Sequence, residues 1–150
     1  MAQRMKNPAV LVPAAMQPIQ ELIKAVHAQG MPQELMDLVH LRVSQINGCG
    51  FCVDGGLKSL RKLGVSDERI GLVTAWRETP YYSEDERAAL GLAEAVTRLS
   101  DNTDAVPDDV WDAAADQFTE EQLAALLLGI AVTNLFNRLN APIRQAPGSW

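Results

Sequence analysis

The feature that most constrains the fold is a long apolar segment near the carboxyl end of the chain. Its large apolar side chains cover nearly every face of a helix: Leu123, Leu126, Leu127, Leu128, Ile130, Val132, Leu135, Phe136 and Leu139. A helix that is apolar on all sides must be buried on all sides. In a chain of 150 residues, a central position in the core or a subunit interface can supply that burial, and we expect a homo-oligomer.

Helix start and stop signals punctuate the rest of the chain, and no segment shows the apolar–polar alternation of a strand. Ser66 is a helix N-cap, and Ser83 with Glu86 and Thr119 with Gln122 have the spacing of capping boxes. These signals predict helices over residues 18–28, 32–47, 49–64, 66–79 and 83–100, and two more from 107 and from 119. The sequence therefore predicts one all-α domain over residues 1–150, with about seven helices and irregular termini at 1–15 and 141–150.

The charge balance narrows the range of partners. A net charge of −6 argues against nucleic acid and anionic membranes, because their phosphates attract basic surfaces. No stretch approaches the roughly 18 consecutive apolar residues of a membrane span, and the first residues are too poor in apolar side chains for a secretory signal peptide. We therefore expect a cytoplasmic protein without nucleic-acid or membrane partners.

Cys49 and Cys52 are the two cysteines of the chain, and they lie at a predicted helix start. Thiols at i and i+3 can form a disulfide, and the first turn of a helix favours thiolate. The pair therefore suits reversible dithiol–disulfide chemistry, although two buried cysteines acting as small apolar side chains have the same spacing. A closed zinc site needs about four ligands, and His27 and His40 precede the cysteines at a spacing that no common zinc motif uses, so we expect no metal.

Three separated segments resemble, in order, the alkylhydroperoxidase D-like family, to which carboxymuconolactone decarboxylases also belong. They are the segment LRVSQINGCGFC at residues 41–52, residues 75–83 with 86–90, and residues 134–140. The resemblance extends over residues 30–140. It implies an all-α fold, assembly into trimers or hexamers, and no metal or organic cofactor.

The same resemblance implies a thiol-dependent peroxidase, which is an oxidoreductase. Cys52 would match the cysteine whose thiolate attacks the O–O bond of a small hydroperoxide, and Cys49 the cysteine that resolves the sulfenic acid into a disulfide. An external thiol reductant would then restore the dithiol. The residues alone leave this order open, because Cys49 lies nearer the helix end and could equally be the more acidic thiol.

The chain departs from the family pattern at two positions that carry acid–base chemistry. The usual C-x-x-C-x-x-x-H ends here on Gly56, and the usual glutamate twelve residues before the first cysteine is Asp37. His40 follows Asp37 by one helical turn and is a candidate to replace the missing histidine. The predicted catalytic residues are Cys52, Cys49, Asp37 and His40, and the alternatives are a solvated acid at 37 and a surface or interface histidine at 40.

Three functions remain open at this point. The first is a peroxidase or disulfide oxidoreductase acting on small hydroperoxides, weakened if a general base worth ~10²–10⁴-fold in rate is missing. The second is a decarboxylase of a lactone acid, although that reaction needs acid–base groups rather than a dithiol. The third is a non-enzymatic helical oligomer whose dithiol senses oxidants or no longer reacts.

Overall fold

The computed structural model describes residues 2–149, and every regular element in that range is helical. The α-helices are α1 (Pro8–Leu11), α2 (Met16–His27), α3 (Gln33–Ile46), α4 (Gly50–Lys62), α5 (Asp67–Leu72), α6 (Glu84–Thr97), α7 (Asp108–Ala115) and α8 (Glu120–Ile143). Short 3₁₀ helices at Val73–Glu78 and Leu99–Asp101 follow α5 and α6. The predicted all-α fold is confirmed.

The predicted irregular termini differ from the structure at α1 and at the end of α8, whereas residues 12–15 and 144–149 lie outside the helices. Residues 1–15 contain α1, which Asn7 caps by accepting a hydrogen bond from the Ala9 N–H at 2.9 Å. A four-residue helix is too short to show a periodic pattern, so the sequence did not reveal it. Residues 141–150 begin inside α8, which continues through Pro142. Met1 and Trp150, the outermost residues of these two segments, lie outside the described residues.

The two ends of the chain meet at the end of α8. The Arg4 N–H donates to the Ile143 carbonyl at 2.9 Å, and the Arg4 guanidinium donates to the Pro142 carbonyl at 3.0 Å. These are carbonyls of the last helical turn, which have no partner within the helix. The N-terminal segment is therefore held against α8 near residue 140.

The helix starts follow the predicted local signals. The Ser66 hydroxyl caps α5 by accepting the Arg69 N–H at 3.3 Å. Thr119 and Gln122 form a reciprocal capping box at the start of α8, with hydrogen bonds of 3.3 and 3.1 Å. Short-range signals of this kind depend only on neighbouring residues, which is why the sequence was sufficient to place them.

Helix α3 runs through the middle of the core and packs against α4, α6 and α8. Its Leu41 joins an apolar cluster with side chains of α4 and α5, whereas Val39 and Val43 join a second cluster with side chains of α6 and α8. Gly129 of α8 leaves room for the end of the Met36 side chain of α3, because a Cβ there would lie 2.5 Å from the Met36 Cε. The central position of α3 brings its polar residues to several buried interfaces.

Helix α8 is buried on one side only in the described chain, so a central position within a single copy does not supply burial on all sides. Leu126 and Ile130 are fully buried, whereas Leu128 and Leu135 remain 44% and 38% exposed. The homo-oligomer that would cover these residues stays a prediction. By length and composition α8 is also long and apolar enough to span a membrane. The absence of about 18 consecutive apolar residues did not predict this. One side of α8 packs against α2, α3, α4 and α6.

Candidate active site

The turn between α3 and α4 sets the position of the two cysteines. Asn47 is the C-cap of α3, and Gly48 has a φ of 65°, a left-handed conformation that glycine adopts without steric cost. Cys49 then donates its N–H to the Ser44 carbonyl at 3.0 Å and occupies the N-cap position of α4. The cysteine pair therefore begins α4, as the sequence predicted.

Cys49 and Cys52 form a disulfide, and their Cα atoms lie 5.3 Å apart. The Cys49 Sγ accepts the Cys52 N–H at 3.3 Å, in the manner of an N-cap side chain. Both residues are buried, with only 1% and 4% of their surface exposed. The sulfurs lie at the positive end of the α4 dipole, which favours the thiolate once the pair is reduced.

Two buried asparagines of α8 face this turn, and the sequence analysis did not identify them. Asn140 Nδ2 donates to the Cys52 Sγ at 3.4 Å, and Asn137 Nδ2 donates to the Ser44 Oγ at 3.1 Å. Both asparagines are almost fully buried. The available signal was the three-residue repeat of asparagine at 134, 137 and 140, since amides in an apolar helix need buried partners.

His40 lies beside the position where the family pattern has its histidine. A Cβ on Gly56 would be 3.1 Å from the His40 Nδ1, so the absence of a side chain at 56 makes room for the imidazole. Gly56 follows Cys52 by four residues and shares its face of α4. Burial lowers the pKa of His40 below its ordinary value of 6.5, while the Asp37 carboxylate partly offsets this by raising it. His40 is therefore a neutral imidazole at neutral pH.

Asp37 is bound by neighbouring side chains and makes no direct contact with the cysteines. Its Oδ2 accepts the Ser59 hydroxyl of α4 at 2.5 Å, and its Oδ1 accepts the Gln33 amide at 2.8 Å. Asp37 and His40 stand opposite Ser59 and Gly56, which is the register of two antiparallel helices. Cys52 lies on α4 one helical turn before Gly56. Asp37 therefore ties α3 to α4 and acts on His40 through its charge.

Two cavities border different parts of this site. A cavity of about 260 Å³ lies between α2, α3 and α8 and reaches Asp37 and His40. The rest of its wall is mostly apolar and includes Ile23, Val26, Met36, Val39, Val132 and Phe136. A second cavity, of about 320 Å³, is lined by Cys49, Asn140 and Arg144 among others. Within residues 2–149, no three histidine, cysteine or acidic side chains are grouped to hold a metal ion.

A second buried polar cluster lies on the other side of α3, around Glu94 of α6. Arg42, Trp76 and Arg77 donate to the Glu94 carboxylate at 2.6, 3.1 and 2.5 Å. Burial alone would raise the pKa of Glu94, but these hydrogen bonds outweigh it and hold the pKa below its ordinary value. Because every donor faces one carboxylate that is fully paired, this cluster is a structural ion pair rather than a reactive group.

Comparison with known proteins places the chain in a family. The sequence model of the carboxymuconolactone decarboxylase family matches residues 13–95, a range that contains both cysteines. The chain is also 33% identical over 130 residues to the uncharacterised protein YdfG of Bacillus subtilis (strain 168), covering 87% of each protein. The chain belongs to the carboxymuconolactone decarboxylase family. The resemblance given by the sequence segments is thereby confirmed.

Two further relatives extend this assignment. The uncharacterised protein YnjA of Escherichia coli (strain K12) is 35% identical to this family member over 105 residues, covering 69% of this chain and 56% of YnjA. A crystal structure from Agrobacterium tumefaciens has a TM-score of 0.90 and 34% identity, covering 99% of this chain and all of that one. That protein is of unknown function and has been suggested to be an antioxidant defence protein, AhpD.

Proposed function

We propose that this protein is a thiol-dependent peroxidase that reduces small organic hydroperoxides through Cys49 and Cys52. The observation that carries the proposal is the disulfide between these residues at the start of α4. The suggested antioxidant role of the Agrobacterium protein is consistent with it. The proposal assigns the attack to Cys52 and the resolving step to Cys49, as the family pattern implies.

The reaction consumes one hydroperoxide for each dithiol. The Cys52 thiolate forms a bond to the terminal oxygen of ROOH, the O–O bond breaks, and the alkoxide leaves and takes up a proton to give ROH. The Cys49 sulfur then attacks the Cys52 sulfenic acid, and the hydroxyl leaves with the Cys49 proton as water. An external thiol reductant supplies two electrons and two protons to regenerate both thiols.

His40 has the properties of the proton carrier in this proposal. A neutral imidazole can accept the Cys52 proton and return it to the alkoxide. It stands at the position left open by Gly56, on the face of α4 that carries Cys52. Asp37 lies one helical turn away on α3, and its negative charge stabilises the imidazolium that forms during transfer. The missing family histidine is thus replaced from another helix.

The cavities suggest where the two reactants approach. The cavity of about 260 Å³ beside His40 has a mainly apolar wall that suits a small organic molecule, although neither cysteine lines it. The cavity beside Cys49 contains the Arg144 side chain and offers a separate route for the thiol reductant. Reductant that attacks Cys49 would release Cys52 as the leaving thiolate, ready for the next hydroperoxide.

The test compares the reduced protein with its Cys52→Ser and Cys49→Ser variants, using cumene hydroperoxide and a sulfenic-acid trapping reagent. We expect wild type to consume hydroperoxide, Cys49→Ser to stop after one oxidation with a trapped sulfenic acid on Cys52, and Cys52→Ser to consume none. Turnover that survives in Cys52→Ser would contradict the proposal. Wild-type protein whose thiols do not react with hydroperoxide would also contradict it, and would favour a dithiol that no longer reacts or a decarboxylase role.

A further inference from the structure

The orientation of the Asn140 amide is fixed by a chain of hydrogen bonds that begins at the N-terminal segment. The Asn7 Oδ1 accepts the Ala9 N–H at 2.9 Å. Since a backbone N–H can only donate, the other end of the Asn7 side chain must be its NH₂ group. That Nδ2 donates to the Asn140 Oδ1 at 2.7 Å, so Asn140 is left with its own NH₂ group facing the Cys52 Sγ.

The two sulfurs of the disulfide therefore have different hydrogen-bond donors. The Cys49 Sγ accepts a backbone N–H within α4, whereas the Cys52 Sγ accepts a side-chain amide from α8. A hydrogen bond to a charged group is stronger than one to a neutral group. When the disulfide is reduced, the donor on Cys52 consequently favours its thiolate over its thiol.

We propose that Asn140 is a further catalytic residue that stabilises the Cys52 thiolate, and that Asn7 is the positioning residue that keeps its NH₂ group on the sulfur. This inference rests on the proposed function in taking Cys52 as the attacking cysteine. It explains why Cys52, rather than the residue nearer the helix end, is the reactive thiol. It also gives the N-terminal segment a role in chemistry.

Neither residue belongs to the part of the chain that the family model describes. That model covers residues 13–95, whereas Asn7 precedes this range and Asn140 follows it. The two residues meet because Arg4 holds the N-terminal segment on the last turn of α8. Asn140 falls within the segment 134–140 that resembles the family, whereas Asn7 lies outside every segment of that resemblance.

The decisive variant is Asn7→Asp, which has almost the same shape and retains a good N-cap for α1. Its new carboxylate can only accept, so Asn140 must turn its NH₂ group toward residue 7 and its Oδ1 toward Cys52. The thiol form then gains the hydrogen bond and the thiolate loses it. Asn140→Leu removes the donor outright, and Gln3→Glu adds the same charge at an exposed position of the N-terminal segment without contacting Asn140.

The measurement is the pH dependence of alkylation of the fully reduced protein by iodoacetamide, with each cysteine quantified by peptide mass. We expect the midpoint for Cys52 to rise by about one pH unit in Asn7→Asp and in Asn140→Leu, and that for Cys49 to stay in place. Gln3→Glu should leave both midpoints unchanged. The charged or titratable groups around the pair include His40 beside Gly56, Asp54 on α4 and Arg144 in the cavity beside Cys49, and they are the same in all variants.

Two results would overturn the inference: a Cys52 midpoint that does not move in Asn7→Asp, or one that moves equally in Gln3→Glu. Circular dichroism identifies variants that fail to fold. If Asn140→Leu does not fold, Asn7→Asp alone still tests the inference. The experiment uses no hydroperoxide. It therefore measures the effect of the Asn140 amide on Cys52 even if the peroxidase proposal fails. Conversely, an active peroxidase in which Asn140 has no effect on the Cys52 midpoint would contradict only this inference.

Discussion

Two buried polar clusters adjoin α3, and they differ in charge and in how completely their acceptors are paired. Around Glu94 a carboxylate receives two guanidinium groups and an indole N–H. Around the cysteines each sulfur receives a single longer hydrogen bond, one from a backbone N–H and one from an amide. A buried charge with complete pairing is costly to disturb, whereas a sparsely paired sulfur can change its charge and its bonds.

We infer from this difference that the Glu94 cluster stabilises the core, whereas the cysteine cluster carries the reactive groups. The Glu94 cluster joins α3 to α6 and to the 3₁₀ helix Val73–Glu78, and its function is to hold them together. The cysteine cluster joins the start of α4 to α8 through neutral groups, which leave the sulfurs free to carry the negative charge. Variants in the first cluster should therefore change stability, and variants in the second should change reactivity.

The largest effect on stability should come from Glu94→Ala. Removing the Glu94 side chain leaves Arg42, a residue only 9% exposed, without its carboxylate partner. Breaking a buried pair in this way costs about 3–5 kcal/mol in the free energy of unfolding. Glu21→Ala, on the exposed side of α2, is the matched control and should cost less than about 0.5 kcal/mol. Urea denaturation measures both. Equal small losses would remove the distinction between the clusters.

His40→Asn should have the largest effect on reactivity outside the cysteines. We expect the rate of Cys52 oxidation by hydroperoxide to fall by about a hundredfold, which is within the usual range for loss of a general base. In wild type the rate should also fall as the pH drops through the His40 pKa, which lies below 6.5, and this phase should vanish in the variant. Stopped-flow rates across pH test this, and an unchanged pH profile would exclude His40 as the base.

The acid response of stability should depend on Glu94. Its pKa in the folded protein lies below the ordinary value of 4.5, so its contribution is fully present above that value and is lost as the pH falls through the folded pKa. The stability difference between wild type and Glu94→Gln should therefore shrink at acidic pH. Denaturation at a series of pH values measures it, and a constant difference would contradict the assignment.

The smallest changes in stability should come from replacing Gly71 or Gly56 by alanine. An added Cβ at Gly71 meets nothing within 4 Å, whereas one at Gly56 lies 3.1 Å from the His40 Nδ1. Gly71→Ala should stabilise the protein by up to about 1 kcal/mol through helix propensity. Gly56→Ala should raise the free energy of unfolding by less and should slow hydroperoxide reduction. Thermal melts and rates test the pair. A faster Gly56→Ala variant would show that the imidazole needs no space there.

The sequence predicted those parts of the site that depend on neighbouring residues. The C-x-x-C pair and the capping box at Thr119 lie within single turns of their helices, so spacing alone defines them. The contact of His40 with Gly56 depends on the register between α3 and α4, which no local pattern specifies. Asn7 and Asn140 are separated by 133 residues, and their meeting depends on how the N-terminal segment docks on α8. Local features were therefore predictable, and His40 could be named as a candidate, but the contacts between distant helices could not be predicted.

The most direct test of the proposed dithiol peroxidase reaction is a single-turnover experiment on the fully reduced protein with one equivalent of cumene hydroperoxide. Free thiols, disulfide and cumyl alcohol are quantified together, and the first oxidised cysteine is identified by trapping and peptide mass. We expect the loss of two thiols for each alcohol formed, with Cys52 oxidised first and the Cys49–Cys52 disulfide as the product. Thiols that persist beside intact hydroperoxide, or an oxidation that begins at Cys49, would contradict it.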